Sequence, residues 1–167
     1  MDARRRHIVI VGHMGSGKTT LGRGLAKNLD LPLCDSDEAL LRDEGTTARE
    51  LQGRSGQLAL HRLEAAHLLR VLAAPEPGVI CAAASTIDDR RCVAALSSPE
   101  VAVIWLRASP ATLAARHPGG QHRPPTVPDA VRRRRERRLE LLDPYTLDTD
   151  RMSAADLLDA ALAALAH

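Results

Sequence analysis

The stretch Gly12-His13-Met14-Gly15-Ser16-Gly17-Lys18-Thr19 has the residue types of an anion cradle. Its spacing is glycine, four residues, then Gly-Lys-Thr, the phosphate-binding loop pattern. Glycines let the backbone curl so that its N–H groups converge on a phosphate, and a following helix adds partial positive charge. Lys18 reaches the β- and γ-phosphates of a nucleotide, and the Thr19 hydroxyl is a ligand for Mg²⁺. Gly12, Met14, Gly15, Ser16, Gly17, Lys18, Thr19 and Thr20 are therefore candidate nucleotide-binding residues, with ATP and Mg²⁺ as the implied cofactors. His13 occupies a position that the pattern leaves free and reads as a spacer.

A second constellation is Asp35-Ser36-Asp37. In an open parallel sheet, ligands gather outside the carboxyl ends of the strands. Both carboxylates directly follow an apolar run, so they fall at the same edge as the phosphate loop. One carboxylate could serve Mg²⁺ while the other takes a proton from an attacking hydroxyl; the alternative is a pair of N-cap acids for the next helix. A third constellation is Arg116 and Arg123, at and within a segment, 117–128, punctuated by Pro118, Gly119, Gly120, Pro124, Pro125 and Pro128. Its length and composition are those of a lid. A mobile arginine there would supply positive charge over the β–γ bridge, and closure would exclude water.

The elements that must position these residues alternate. His7–Val11 is a short apolar run and reads as a buried strand; Leu21, Leu25 and Leu29 follow at helical spacing. Leu31–Cys34, Val79–Ala84, Val101–Leu106 and Tyr145–Asp148 read as further strands. Between them lie predicted helices at 38–43, from Thr47 with a capping box to Glu50, at 57–73, 88–96, 110–116 and 129–143, and a last one at 153–166 capped by Ser153. This alternation predicts an α/β protein with a parallel sheet and helices on both faces. The 167-residue length predicts one domain, 1–167, with the lid at about 117–128.

Composition narrows the function classes. Hydrophobic residues make up 44% of the chain, but aromatics only 1%, so Leu, Val and Ala build the core and base-stacking platforms for single-stranded nucleic acid are absent. Net charge is +2, too small for a field that recruits nucleic acid or membrane. The run Arg132-Arg133-Arg134-Arg135-Glu136-Arg137-Arg138 spreads around a whole helix circumference, as a solvated helix flanking an anionic nucleotide with one arginine turned inward. Cys34, Cys81 and Cys92 have no metal or redox spacing and read as reduced thiols of a cytoplasmic protein. No signal peptide or transmembrane length is present in the sequence. A monomer acting on a small molecule, with no nucleic-acid or membrane partner, is the expectation.

On these residues the chain resembles the shikimate kinase family along essentially its whole length. Gly12 to Ala26, including Leu21-Gly22-Arg23, looks like that family's opening, and Asp35-Ser36-Asp37 matches its Asp-x-Asp pair. The resemblance implies a five-stranded parallel P-loop fold of the nucleoside monophosphate kinase type. It implies Asp35 near Mg²⁺ through water and Asp37 as candidate base at the acceptor hydroxyl. Arg123-Pro124 matches the family's lid Arg-Pro, Arg116 falls on an arginine against the adenine, and Arg135 on an acceptor-binding arginine. Two motifs depart from the pattern, both in the acceptor pocket. His61 stands where the family has an arginine for the shikimate carboxylate, with Arg62 about 100° further around the helix. Ala82-Ala83-Ala84 replaces three glycines, and each added Cβ takes space next to the acceptor. The expected function is transfer of phosphate from ATP to a hydroxyl of a small metabolite. The acceptor is shikimate by default, with another polyol, cyclitol or sugar acid as the alternative. Retention of Lys18, Thr19, Asp35, Asp37 and Arg123 favours an active kinase over a nucleotide-binding regulator without activity.

Overall fold

The computed structural model describes residues 6–116 and 127–166. Five parallel strands, β1 (His7–Val11), β2 (Leu33–Asp35), β3 (Val79–Cys81), β4 (Val101–Arg107) and β5 (Tyr145–Asp148), form one sheet in the order β2-β3-β1-β4-β5. The helices are α1 (Lys18–Leu29), α2 (Ser36–Glu44), α3 (Ala48–Leu72), α4 (Arg90–Leu96), α5 (Pro110–Arg116), α6 (Asp129–Glu140) and α7 (Ala154–Leu165), with a 3-10 turn at Ala84–Asp88.

Strand alternation divides the core into two layers. Ile8 and Ile10 of β1, with Ala102, Ile104 and Leu106 of β4, face Leu21 and Leu25 of α1 and Leu157, Ala161 and Leu165 of α7. Val9 and Val11, with Val103 and Trp105, face Ala65 and Leu68 of α3, Cys92 and Leu96 of α4 and Leu139 of α6. A strand buried on both faces has no polar alternation, which is why the central strands read as continuous apolar runs. The order reverses at β1, whose neighbours are β3 on one side and β4 on the other, so the crevice beyond its carboxyl end is the switch point where ligands bind.

Several predicted boundaries shift. The third strand ends at Cys81, not Ala84, because the chain tightens into the 3-10 turn, with Thr86 donating through its N–H and its hydroxyl to the Ala83 carbonyl. The two helices expected either side of Gly56 are one element interrupted there, with Gly56 at φ 82, ψ 165. The Thr47–Glu50 and Ser153–Asp156 capping boxes both form. The sixth helix stops at Glu140, and Asp143 takes a left-handed φ of 48 beyond it.

Gly22 sets how closely α1 approaches the sheet. A Cβ there would lie 2.5 Å from Cys81 Sγ and 3.2 Å from Leu33 Cδ1. Gly22→Ala should therefore destabilise the fold by about 1–3 kcal/mol through overpacking. Gly22→Ala combined with Cys81→Ala should recover most of that loss, which urea unfolding of the two single variants and the pair measures directly. Additive losses would mean that the clash with Cys81 is not the cause.

Candidate active site

The phosphate loop follows from the end of β1. Gly12 has φ 156, and a Cβ on it would meet the Leu106 carbonyl oxygen at 2.7 Å and Ser16 Oγ at 2.6 Å. Gly15 and Gly17 have φ 86 and 99, so the loop winds through the left-handed region that glycine adopts without strain. The Ser16 N–H closes a turn onto the His13 carbonyl at 3.1 Å, and α1 begins at Lys18. Lys18 Nζ donates to the carbonyls of Gly12 at 2.8 Å and His13 at 3.3 Å, which holds the ammonium across the loop. Ser16 is fully buried, Met14 is half-buried and Thr20 is exposed at the start of the helix.

Thr19 Oγ1 donates to Asp35 Oδ2 at 2.7 Å, joining the loop's helix to the end of β2. Asp35 is buried, and its other oxygen accepts from the Asp37 N–H at 2.9 Å. Asp35 is thus both the N-cap of α2 and the partner of Thr19. Asp37 lies exposed in the first turn of α2. Its negative charge is favoured at a helix N-terminus. Two hard oxygens this close, a hydroxyl and a carboxylate, fit Mg²⁺, which keeps several waters and needs few protein ligands. Among the described residues no cluster of three or more His, Cys, Asp or Glu side chains suits a metal, so a dedicated protein cage of that kind is not what the site offers.

His13 is not an idle spacer. It is buried in the loop with Nε2 3.8 Å from Glu136 Oε1 of α6. Burial lowers its pKa to about 4, with Glu136 opposing the shift and Lys18 adding to it. The imidazole is therefore neutral at pH 7.

The remaining candidate residues lie where α3 and α6 pack against the 3-10 turn that follows β3. Ala82 and Ala83 are buried and Ala84 half-buried; Ala82 continues the ladder with its N–H on the Ile10 carbonyl at 3.0 Å. Ala83 has φ -66, so this backbone does not require glycine. His61 lies half-buried, three residues before the buried Glu64, to which Ser85 Oγ donates. Arg62 is exposed, and the helix is regular from 57 to 72, so its side chain stays off the face His61 occupies. Arg135 is buried and paired with Asp88. At the far side, Arg116 donates to the Thr149 hydroxyl at 3.1 Å and carbonyl at 2.7 Å. Arg123 and residues 117–126 of the expected lid lie outside the described residues.

The sequence reading missed Glu64, Asp88 and Glu136. For Glu64 a signal existed, an acid on an otherwise apolar helix face. For Asp88 none did, since its partner is 47 positions away.

The shikimate kinase family model matches residues 14–165. A shikimate kinase of Symbiobacterium thermophilum is 38% identical over 132 residues, covering 77% of this chain and 75% of that protein. One from Burkholderia thailandensis is 31% identical, covering 97% of this chain and 92% of its own. The fold is that of the shikimate kinase from Acinetobacter baumannii solved in complex with shikimate, with a TM-score of 0.78 at 23% identity over 96% of this chain and 93% of that one.

The pKa of His13 makes stability pH-dependent. The unfolded chain takes up this proton below the ordinary value of 6.5 and the folded chain only below about 4, so stability falls as pH drops through that window. The loss attributable to His13 is roughly 3 kcal/mol between pH 7 and 4. His13→Gln should flatten the pH dependence of urea unfolding over that range; an unchanged slope would assign the acid sensitivity to other groups.

Proposed function

We infer the residue roles and the acceptor class from the premise that this chain belongs to the shikimate kinase family and is an ATP-dependent phosphotransferase acting on a hydroxyl of a small metabolite. The observation that carries the roles is the meeting of loop, Lys18, Thr19 and Asp35 at the carboxyl edge of the sheet. In this reading the loop N–H groups hold the ATP phosphates and Lys18 turns from the loop carbonyls to the β- and γ-phosphates. The Thr19 hydroxyl would hold Mg²⁺, with Asp35 orienting it or its water; the metal supplies charge neutralisation on the bridging oxygens. Asp37, exposed at the mouth of the site, accepts the acceptor hydroxyl's proton as that oxygen attacks the γ-phosphorus and the bond to ADP breaks. Arg116, pinned by Thr149, offers a planar cation for the adenine face. Arg123 supplies positive charge from the lid segment 117–128.

Asp37→Asn should keep ATP·Mg²⁺ binding by titration calorimetry and lose transfer. Lys18→Ala should lower turnover on the order of 10³-fold. An Asp37→Asn variant with crippled nucleotide binding would reverse the assignments of Asp35 and Asp37.

Shikimate is the acceptor that the relatives' names bring to this chain, and it fits the site imperfectly. A carboxylate is best gripped by the planar fork of arginine. His61 gives fewer donors, Arg62 is exposed on another face, and the Ala82, Ala83 and Ala84 methyl groups crowd the wall. We propose a cyclitol, polyol or sugar acid of similar size as the preferred acceptor. Losing one hydrogen bond to a charged group costs roughly 1.5–3 kcal/mol, so shikimate should be at least about 10-fold poorer than for a protein with arginine and three glycines there. His61→Arg with Ala82→Gly, Ala83→Gly and Ala84→Gly should raise activity on shikimate in a coupled ADP-release assay. A micromolar KM and ordinary turnover for shikimate in the unmodified protein would make it the acceptor.

A further inference from the structure

Arg135 is the most deeply buried arginine of α6, with its side chain 4% exposed against 50% for Arg134 and 42% for Arg138. A guanidinium does not shed its proton, so burial requires an anion beside it. Asp88, the last residue of the 3-10 turn, supplies that anion. Its Oδ2 accepts from Arg135 Nε at 2.8 Å and lies 2.7 Å from Nη2. Its Oδ1 accepts from Arg138 at 2.9 Å and Arg134 at 3.2 Å. The same turn carries Ser85, which donates to Glu64 on α3. Asp88 therefore fixes one edge of the guanidinium against the acceptor wall, and among the described residues Nη1 of Arg135 has no hydrogen-bond partner.

We propose that Asp88 is a positioning residue for phosphoryl transfer: it holds the Nε–Nη2 edge of Arg135 and leaves Nη1 for an oxygen of the acceptor. This rests on the kinase reading above. Arg134 and Arg138, largely in water, share the same carboxylate but carry no part of the acceptor contact. Asp88 acts through Arg135 and touches neither nucleotide nor acceptor. Its influence belongs to acceptor binding, because among the described residues its side-chain partners are Arg134, Arg135 and Arg138, none of them in the phosphate loop.

Steady-state kinetics of the full chain test this, with shikimate, quinate, gluconate, glucitol and myo-inositol as probe acceptors and the best of them carried forward. Asp88→Asn should raise the acceptor KM about 10-fold or more and leave the ATP KM within about twofold. Asp88→Glu, which keeps the charge but displaces it by a methylene, should give a smaller rise, again in the acceptor KM alone. It carries the test if Asp88→Asn does not fold. The double variant Arg134→Ala/Arg138→Ala should keep the native acceptor KM. An unchanged acceptor KM on loss of Asp88, an equal rise in the ATP KM, or the same shift from the double arginine variant would each overturn the inference while leaving the kinase reading intact. Failure of the native protein to phosphorylate any of these acceptors would remove the kinase reading, and this inference with it.

Discussion

One carboxylate joins the two halves of the site. Asp35 accepts from the Thr19 hydroxyl on α1 and from the Asp37 N–H on α2, and it sits buried at the end of β2 opposite Cys81. β2 is an edge strand of three residues, so its ladder alone specifies register weakly. A slip of one residue would turn Asp35 to the other face and separate both carboxylates from the loop. The contact with Thr19 opposes that slip. It depends in turn on Gly22, one turn along α1 from Thr19, whose missing side chain lets the helix pack closely on Cys81 and Leu33. The geometry of the loop edge is thus fixed by a hydrogen bond and by the absence of a methyl group.

The parts of the fold legible in the sequence are those whose signals are local. The glycine spacing from Gly12 to Gly17, the apolar run of β1, the Thr47 capping box and the Ser153 cap each depend on residues within a few positions, and each formed as expected. The place of Asp35 at the carboxyl edge of the sheet was legible because an apolar run precedes it. The sheet order was legible only through resemblance, since the pairing of β1 with β3 and β4 leaves no local mark. The extent of β3 was misread because Ala82 and Ala83 are as buried as strand residues, although the chain there is already entering a turn. Asp88 escaped notice for a different reason: an acid at the start of a predicted helix looks like a cap, and only tertiary packing brings it to Arg135.

The arginine run on α6 shows how a sequence of one sign can yield little free charge. Arg132 pairs with Glu136 at 2.9 Å, and Arg134, Arg135 and Arg138 converge on Asp88. Arg133 and Arg137 face solvent, and among the described residues no ion pair is formed by either. Adjacent side chains of the helix also point to different parts of the site. Arg135 reaches the turn after β3, while Glu136 reaches His13 in the phosphate loop.

The two walls differ in what their chemistry requires of the sequence. The phosphate loop works through main-chain N–H groups and left-handed glycines, so most of its specificity resides in conformation, and Gly12 tolerates no Cβ against the Leu106 carbonyl. In the proposed reading the acceptor side works through side chains: His61, the methyl groups of Ala82 to Ala84, Arg135 and the Asp88 beside it. Ala83 shows that the backbone there is ordinary extended chain, so substitutions alter shape and charge without straining the fold. A buried arginine is the exception, because it cannot be kept without its counterion. Removing Asp88 would leave the Arg135 guanidinium buried without its anion, whereas the alanines carry no charge that needs a partner. The Asp88–Arg135 pair is therefore the contact that charge balance fixes where the 3-10 turn meets α6.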